Sequence, residues 1–449
     1  MNYSAVILAA GKGTRMRSEI PKVMHKAAGK TLIRHVIDAV LESGVKDIVV
    51  VVGHGRASVE QELAGEGFRF AVQEEQRGTG HALLQAEPYL EKSRNFLVLP
   101  GDTPLLQTNA LRAILNHHKD TAAQATVLSC TLQDPTGYGR IVRSAQRRFE
   151  AVVEEKDASP EQREISEINS GIYVFMGASV LAALHELKTN NAQKEYYLPD
   201  VLDIINRKGQ KVEVLRHPSE EDIYGVNDRV QLAYAEKILR RRKNYALMYS
   251  GVTITDPDLT FIDASVDVGR DTVVLPFTFL AGNTKIGENC RLGPGSFIND
   301  SIVGNDTSVE YSRVKEAQIG DECTIGPYSY LRPETIIGNQ VKIGDFVELK
   351  KTVVGEKSKI PHLSYIGDAV IGKYANVGAG TITCNYDGKD KYVTIIEDHA
   401  FIGSNTNLIA PITIGKNAVT GAGSSLSHDV PPDSLAVERA QAKVKKKRE

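Results

Sequence analysis

A glycine-rich segment able to approach phosphate follows the first apolar run of the chain. Residues 8–16 read Leu-Ala-Ala-Gly-Lys-Gly-Thr-Arg-Met. Glycines in a turn let backbone N–H groups reach phosphate oxygens, and Lys12 and Arg15 add positive charge. The segment is not a dinucleotide fingerprint, because Met16 stands where the third glycine belongs, and it lacks the Gly-Lys-Ser/Thr end of a Walker A sequence. Taken alone, it leaves a plain tight turn as open as phosphate binding.

A second chemical feature is an acid that follows an apolar run. Asp102 comes after the strand-like residues 96–99, and Asn227 ends the later segment Gly-Val-Asn. A carboxylate at the end of a buried strand suits Mg²⁺, and an amide would supply a neutral oxygen. An aspartate in this position also serves as a helix or turn cap. The residue types therefore allow a metal site without requiring one.

The segment around His362 contains the residue types that acyl transfer to an amine needs. Histidine removes a proton at neutral pH, and an amine must lose one when it attacks a thioester. A lone histidine more often serves as a hydrogen-bonded structural group, but Arg332, Lys350 and Tyr365 accompany this one. No serine or cysteine nucleophile pattern is present with them, so direct attack by the amine is favoured over an acyl-enzyme.

A six-residue repeat predicts the element that positions His362. An aliphatic residue returns every six positions from Val268 to Ile298, and after a slip of one residue the period continues from Val303 to Val377. Such a repeat is typical of a parallel β-helix, in which six residues form a short strand and a corner and three such units form a coil. Stability then comes from stacking on neighbouring coils. Residues 385–391 break the pattern and are predicted to project as a loop.

The first half of the chain alternates strand-like and helical patterns, which predicts an open α/β sheet with ligands beyond the carboxyl ends of its strands. The predicted strands are 4–10, 47–52, 68–72, 95–99 and 125–130, and the predicted helices are 32–43, 80–88 and 109–118. The fold class is therefore α/β: an N-terminal Rossmann-like domain over residues 1–227, a linker helix over 228–250 and a β-helix domain with a C-terminal tail over 251–449.

Composition and charge argue against several classes of protein. The formal net charge is -2 over 449 residues, which gives no electrostatic case for a nucleic-acid or membrane surface. The four cysteines lie far apart without zinc or C-x-x-C spacing, which indicates reduced thiols. The start of the chain has no basic region followed by a cleavable apolar stretch, and no run of 18 apolar residues occurs. We therefore expect a cytoplasmic protein.

The glycine-rich segment, with Pro21 and Lys22 behind it, resembles the signature of sugar-nucleotide pyrophosphorylases, the nucleotidyltransferases that join a nucleoside triphosphate to a sugar 1-phosphate. The resemblance implies that Arg15 and Lys22 are catalytic and stabilise charge on the α-phosphate, and that Asp102 and Asn227 bind Mg²⁺. It assigns the N-acetylated sugar to Gly139, Glu154 and Asn169. The whole site for UTP and the UDP-sugar would comprise Leu8, Ala9, Gly11, Lys22, Gln73, Gln76, Gly78, Thr79, Gly139, Glu154, Asn169 and Asn227.

The segments around His362 resemble the acetyltransferase half of a bacterial bifunctional family, N-acetylglucosamine-1-phosphate uridylyltransferase and glucosamine-1-phosphate N-acetyltransferase. This resemblance implies a left-handed solenoid, a homotrimer and His362 as general base, with a backbone N–H near Ser404 as oxyanion donor. Glu348 would orient or charge-balance the basic cluster, although a solvated carboxylate is equally open. Glucosamine 1-phosphate would bind Arg332, Lys350, Tyr365 and Asn376, and acetyl-CoA would bind Ala379, Asn385, Tyr386, Ser404, Ala422 and Arg439.

Together these patterns predict a two-domain enzyme of UDP-N-acetylglucosamine synthesis. The solenoid would acetylate glucosamine 1-phosphate with acetyl-CoA, and the first domain would then join N-acetylglucosamine 1-phosphate to UMP from UTP. The alternative is a nucleotidyltransferase for another sugar 1-phosphate, on which the solenoid serves only as a trimerisation scaffold. The clustering of Arg332, Lys350, His362 and Tyr365 argues against that alternative.

Overall fold

The computed structural model describes residues 3–91, 94–438 and 442–446 of the chain. It divides into two compact units, Met1–Leu239 and Arg240–Glu449. The division falls inside a helix that spans Arg229–Tyr249, whereas the sequence places the domain boundaries at 227 and 250; those boundaries stay predictions. Within the described residues, no helix is both long enough and apolar enough to cross a membrane.

The main sheet of the first unit has the strand order β11-β7-β10-β6-β1-β4-β5, with β8 and β9 attached through β10. β1 is parallel to both neighbours, and its residue Leu8 pairs with Val51 on one side and Pro100 on the other. β10 runs antiparallel to β6 and β7. The strands are β1 Tyr3–Leu8, β2 Lys26–Ala27, β3 Lys30–Thr31, β4 Asp47–Val52, β5 Arg69–Val72, β6 Asn95–Pro100, β7 Ala125–Thr131, β8 Arg140–Arg143, β9 Phe149–Val153, β10 Glu167–Met176 and β11 Val212–Arg216.

Helices cover both faces of this sheet because each presents an apolar stripe. Ile33 of α1 and Leu111 of α4 belong to one buried cluster, whereas Leu83 of α3 and Val180 of α6 belong to the cluster on the other face. The helices are α1 Leu32–Glu42, α2 Arg56–Glu62, α3 Thr79–Gln85, α4 Thr108–Thr121, α5 Pro160–Arg163, α6 Gly177–Leu184, α7 Asp200–Arg207 and α8 Arg229–Tyr249, with 3-10 turns at Thr14–Met16, Lys22–Met24, Glu87–Tyr89 and Glu221–Ile223.

The second unit is a left-handed parallel β-helix whose short strands pair from coil to coil. Val273, for example, pairs with Arg291 of the next coil. One wall of the coil contains Thr253–Ile254, Val273–Val274, Arg291–Leu292, Ser308–Val309, Thr324–Ile325, Lys342–Asp345, Lys359–His362, Asn376–Val377, Phe401–Ile402, Val419–Thr420 and Leu435–Ala436. The other two walls contain Phe261–Ile262, Asp267–Val268, Phe279–Ala281, Lys285–Ile286, Phe297–Asn299, Ile302–Val303, Arg313–Lys315, Gln318–Ile319, Tyr330–Leu331, Ile336–Ile337, Glu348–Val354, Tyr365–Ile371, Ile382–Cys384, Thr394–Ile396, Asn407–Ile409, Ile412–Ile414 and Ser425–Leu426.

The six-residue repeat forms the interior of this solenoid, as the sequence predicts. The aliphatic positions from Val274 to Val377 are buried in one continuous cluster, and Val268 at its start is partly buried. Glycine beside these positions allows close stacking, since an ideal Cβ on Gly269 would lie 2.5 Å from the carbonyl oxygen of Gly287. Other corners use the left-handed region without glycine, as at Phe346 with φ 59.

Candidate functional site

The carboxyl ends of β1 and β6 lie side by side and position the glycine-rich turn. The N–H of Gly101 donates to the carbonyl oxygen of Leu8 at 2.9 Å. Gly13 has φ +59, and an ideal Cβ on it would lie 2.6 Å from Cβ of Lys22, so the turn requires glycine there. Met16, the last residue of the 3-10 turn Thr14–Met16 that follows, is buried. The turn leaves two predicted site residues exposed, Gly11 and Arg15.

Lys22, Asp102 and Asn227 meet at this edge of the sheet. The Lys22 ammonium donates to the Asp102 carboxylate and, at 3.0 Å, to Oδ1 of Asn227. The N–H of Val226 donates to the carbonyl oxygen of Asp102 at 2.9 Å, which holds the two segments together. One carboxylate oxygen and one amide oxygen therefore converge on a single cationic atom. Hard divalent cations prefer this type of ligand, so the donor set fits a metal ion.

The residues predicted to read the nucleotide base lie together after β5. Gln73 is only 3% exposed, and its Nε2 donates to the carbonyl oxygen of Gly78 at 3.1 Å. Gln76 donates in turn to the backbone oxygen of Gln73 at 3.2 Å. The Thr79 hydroxyl accepts from the N–H of Leu198 at 3.1 Å, which ties it to the segment before α7.

The three residues predicted to contact the sugar also lie together. An ideal Cβ on Gly139 would lie 3.1 Å from Oε1 of Glu154, so the absence of a side chain leaves room for that carboxyl group. The N–H of Asn169 donates to the carbonyl oxygen of Gly139 at 2.8 Å. The Asn169 amide also donates to the Tyr173 hydroxyl at 2.7 Å. Strands β8, β9 and β10 thus bring these polar groups to one place.

A group of acids around Glu154 shifts its protonation. Burial, followed by the charges of Asp200 and Asp157, raises the pKa of Glu154 to about 7. Burial and Asp157 raise the pKa of Asp200 to about 6, and burial with Asp200 raises that of Asp203 to about 7. The two α7 acids were not predicted from the sequence. No motif marks them, because only the packing of α7 against β9 brings Asp200 near Glu154 and buries Asp203 beside Asp200.

In the solenoid, His362 ends a strand and has a carboxylate beside it. Asp345 pairs with His362 in the strand register between adjacent coils. Oδ1 of Asp345 lies 2.7 Å from Nδ1 of His362, and the two side chains are 40% and 57% exposed. The hydrogen bond with His362 lowers the pKa of Asp345 below its ordinary value.

Two cationic groups of the predicted sugar-phosphate site each have a carboxylate partner. Arg332 donates to Oε1 of Glu348 at 2.8 Å, which supports the predicted role of Glu348 beside the basic cluster. Lys350 donates to Oδ2 of Asp368 at 3.1 Å, with both side chains 13% exposed. Glu348 pairs in register with Tyr365, and Lys350 with Gly367, so these groups lie on adjacent coils.

Asn385, which is predicted to bind acetyl-CoA, lies beside this cationic cluster. Its amide donates to the Asp368 carboxylate. An ideal Cβ on Gly367 would lie 2.5 Å from the Tyr365 hydroxyl and 2.9 Å from Nδ2 of Asn385. Asn376 is on the wall that carries His362, in register with Lys359.

The break in the repeat forms a compact projecting loop. Tyr386 and Lys391 form an antiparallel bridge, and the N–H of Tyr392 donates to the carbonyl oxygen of Asn385 at 2.9 Å. The Tyr386 side chain is 59% exposed. The neighbouring Lys350 ammonium lowers the pKa of Lys391, because two close positive charges repel. The loop therefore brings a second ammonium group to the cationic cluster.

The remaining predicted acetyl-CoA residues follow one corner of the solenoid. The register from Asn376 to Phe401 and on to Val419 gives Ala379, Ser404 and Ala422 equivalent positions on successive coils. The N–H of Asn405 donates to the carbonyl oxygen of Ala379 at 2.7 Å, and that of Gly423 donates to Ser404 at 2.8 Å. Arg439, also predicted to bind acetyl-CoA, lies outside the described residues.

Known proteins match both halves of the chain. Residues 5–198 match the MobA-like NTP transferase domain, residues 265–300 match the bacterial transferase hexapeptide, and residues 393–428 match the hexapeptide repeat of succinyl-transferase. Residues 313–395 match the GMPPB C-terminal domain. The chain is 57% identical over 443 residues to the bifunctional protein GlmU of Syntrophomonas wolfei, with 99% of each chain covered. It belongs to the GlmU family.

Two further GlmU proteins support this assignment. That of Carboxydothermus hydrogenoformans is 55% identical over 97% of each chain. That of Halalkalibacterium halodurans is 49% identical over 98% of this chain and 97% of its own. The resemblance inferred from the motifs is thereby confirmed, together with the nucleotidyltransferase and hexapeptide fold.

Three residues near the solenoid site were not predicted from the sequence: Asp345, Asp368 and Lys391. A signal for the two acids was available. Adjacent coils are offset by 17 residues here, since Lys342 pairs with Lys359, and the same offset leads from His362 back to Asp345. The offset of 17 residues also leads from Asn385 back to Asp368, so applying it to each predicted polar residue would have found both acids.

Proposed function

We propose that the two units of this GlmU family member divide its two reactions between them. The protein is a bifunctional transferase: it acetylates glucosamine 1-phosphate with acetyl-CoA and transfers UMP from UTP to N-acetylglucosamine 1-phosphate, releasing pyrophosphate. The first unit would perform uridylyl transfer and the solenoid acetyl transfer. The observation that carries this division is that the solenoid contains both His362, hydrogen-bonded to the Asp345 carboxylate, and the two paired cations Arg332 and Lys350.

In the uridylyl site, Lys22 and Arg15 would stabilise negative charge at the α-phosphate as the sugar phosphate attacks and pyrophosphate leaves. The convergence of Asp102 and Asn227 on the Lys22 ammonium supports a divalent cation site. We assign Mg²⁺ to it, held by Asp102 and Asn227. When bound, this ion would neutralise phosphate charge. The exposed turn with Gly11 would offer backbone N–H groups to the triphosphate.

Recognition of the uridylyl substrates would fall to two neighbouring groups of residues. Gln73, Gln76, Gly78 and Thr79, with Leu8 and Ala9, would contact the base and ribose. Glu154 and Asn169 would contact the acetylated sugar, with Gly139 providing space. A carboxyl group whose pKa is near neutrality is able to donate or accept a hydrogen bond, which suits contact with a sugar hydroxyl.

In the acetyl site, the amine nitrogen of glucosamine 1-phosphate would attack the thioester carbonyl carbon of acetyl-CoA. The carbon–nitrogen bond forms and the carbon–sulfur bond breaks, while His362 takes the amine proton and the coenzyme A thiolate leaves. Arg332 and Lys350 would bind the phosphate, and Tyr365 and Asn376 the sugar. The proton on His362 then passes to the thiolate and restores the base.

Acetyl-CoA would lie along the corner that continues from His362. The equivalent positions on the next three coils carry only small side chains, so an extended ligand has room beside the backbone. The N–H near Ser404 would stabilise the oxyanion. Asn385 and Tyr386 of the projecting loop, and Arg439, would complete contacts to the coenzyme.

We also propose a homotrimer and a cytoplasmic location. An aliphatic column runs up one outer wall of the solenoid from Ile336 to Ile395, with its members 39–45% exposed, and a contiguous apolar surface of this kind marks a protein interface. Light scattering after gel filtration should give three chain masses; a single chain mass would contradict the proposal. The column consists of Ile336, Val353, Val370 and Ile395. Ile302 lies on the same wall, separated from Ile336 by Gln318.

Two substitutions in the full chain test the division of labour. His362→Ala should abolish release of free thiol from acetyl-CoA and glucosamine 1-phosphate while leaving UTP-dependent pyrophosphate release intact. Asp102→Ala should have the opposite effect. Loss of both activities in either soluble variant would refute the division, and absence of thiol release from the unmodified chain would favour a scaffold role for the solenoid.

A chelator separates the metal-dependent reaction from the other. EDTA should stop pyrophosphate release and excess Mg²⁺ should restore it, whereas thiol release should persist because the acetyl site proposed here uses a histidine base and cationic side chains. Uridylyl transfer that continues in EDTA would contradict the magnesium assignment.

A further inference from the structure

Asp345 has a defined relation to His362 that the solenoid fold creates. The two residues end paired strands of adjacent coils, Lys342–Asp345 and Lys359–His362, and they are partners in the strand register. Their side chains meet through Oδ1 and Nδ1 at 2.7 Å. Side chains at paired positions of one sheet face point the same way, so the backbone itself directs this contact.

The backbone around both residues is held closely. An ideal Cβ on Gly344 would collide with the carbonyl oxygen of Pro361, so only glycine permits this separation of the two strands. The N–H of Leu363 donates to the carbonyl oxygen of Asp345 at 2.9 Å. The hydroxyl of Ser364 donates to the carbonyl oxygen of His362 at 2.8 Å. Neither strand end is able to shift alone.

The chemistry of the contact selects one form of the imidazole. An ionised carboxylate only accepts hydrogen bonds, so Nδ1 must carry the proton when it meets Asp345. In the neutral ring the lone pair then lies on Nε2. That nitrogen is the one left to take a proton from an attacking amine.

We propose that Asp345 is a positioning residue for acetyl transfer, which fixes the tautomer and orientation of His362 and stabilises the imidazolium that forms. This inference rests on the proposed role of His362 as the base. The other carboxylates close to the site already have cationic partners: Glu348 accepts from Arg332, and Asp368 accepts from Lys350.

A solvated ion pair without function is the competing explanation, because both side chains are substantially exposed. Such pairs contribute little to folding stability. The two explanations therefore agree that substitution of Asp345 leaves the thermal midpoint nearly unchanged. They differ in the rate of acetyl transfer, which only the positioning role links to Asp345.

The test compares Asp345→Ala and Asp345→Asn in the full chain. Each should lower kcat for acetyl transfer by about 10- to 100-fold, the usual effect of removing a residue that orients a functional histidine. KM for glucosamine 1-phosphate and acetyl-CoA should stay within about twofold, since Asp345 contacts neither proposed substrate site. Asn is included because it keeps the shape of the side chain, so that a folding defect in the alanine variant does not end the test.

Uridylyl transfer by the same molecules reports intact protein, and Asp267→Asn, an exposed solenoid acid on the strand Asp267–Val268, is the matched control. Either correctly folded Asp345 variant with kcat within about twofold of the parent would overturn the inference. So would a rise in KM at unchanged kcat, which would move Asp345 to substrate binding. His362→Ala, measured alongside, distinguishes failure of the Asp345 inference from failure of the proposed role of His362. If this variant retains acetyl transfer, His362 is not the base.

Discussion

Replacement of Glu154 by glutamine should stabilise the first unit at alkaline pH. Burial and the neighbouring acids Asp200 and Asp157 raise the pKa of Glu154 from 4.5 to about 7. The protonated carboxyl is thus the form that the folded state prefers. Glutamine keeps the shape of that neutral group and removes the possibility of ionisation.

The sign and size of the effect follow from linkage. Below pH 4.5 the group is protonated in both states and the substitution changes little. As the pH rises from 4.5 towards 7, the unfolded chain loses this proton first, so the free energy of unfolding of the parent falls. At 1.36 kcal/mol per pKa unit the full displacement corresponds to about 3 kcal/mol. Above pH 7 we expect the free energy of unfolding of the variant to exceed that of the parent by about 1–3 kcal/mol. The gain is smaller than the full displacement where the neighbouring acids adjust to the absence of the charge.

Hydrogen–deuterium exchange in urea, followed on peptides from β9 and β10, measures the free energy of unfolding of this unit separately from the solenoid. The difference between variant and parent should grow from pH 5 to pH 7 and then stay constant. Glu150→Gln on the exposed side of the same strand serves as the control. A difference that is independent of pH, or one that grows towards acid pH, would refute the assignment of a raised pKa to Glu154.

Three further substitutions test other parts of the two sites. Gly344→Ala should slow acetyl transfer by about 10- to 100-fold while sparing uridylyl transfer, because its Cβ would displace Pro361 and the proposed base His362 that follows it. Equal loss of both activities would contradict this. Lys22→Met should lower kcat for pyrophosphate release by about 100-fold with acetyl transfer intact. Lys350→Met should raise KM for glucosamine 1-phosphate by about 10- to 100-fold, the value of one charge-assisted hydrogen bond; an unchanged KM would remove Lys350 from the phosphate site.

The solenoid could be predicted in detail because each coil repeats one physical requirement. An inward aliphatic residue must stack on its equivalents in the neighbouring coils. The six-residue period therefore remains visible over more than a hundred residues, although the residue types between the aliphatic positions vary. The first strands of the α/β unit were also predictable: β4 has the predicted bounds Asp47–Val52. β1 ends at Leu8 rather than at residue 10, because the glycine-rich turn begins directly after it.

The later part of the first unit was not predicted at the level of its elements. β10 is a long antiparallel strand whose register with β7 shifts between Asn169 and Tyr173, and Gly171 has φ +77 within it. This irregularity interrupts the alternation from which a strand is recognised. The same irregular segment contains Asn169, so the geometry that hides the strand also presents a polar group beside Gly139.

The projecting loop shows how the repeat accommodates function without losing register. Lys359 pairs with Asn376 across 17 residues, whereas Asn376 pairs with Phe401 across 25. The additional residues leave the coil after Cys384, and the next inward aliphatic residue, Ile396, is fully buried. An insertion at a corner therefore adds polar groups at the site while the stacked interior continues unchanged. Within a strand, an insertion of an odd number of residues would turn inward residues outward, because side chains alternate along a strand. A corner does not have this restriction, which favours corners as the place for new functional groups.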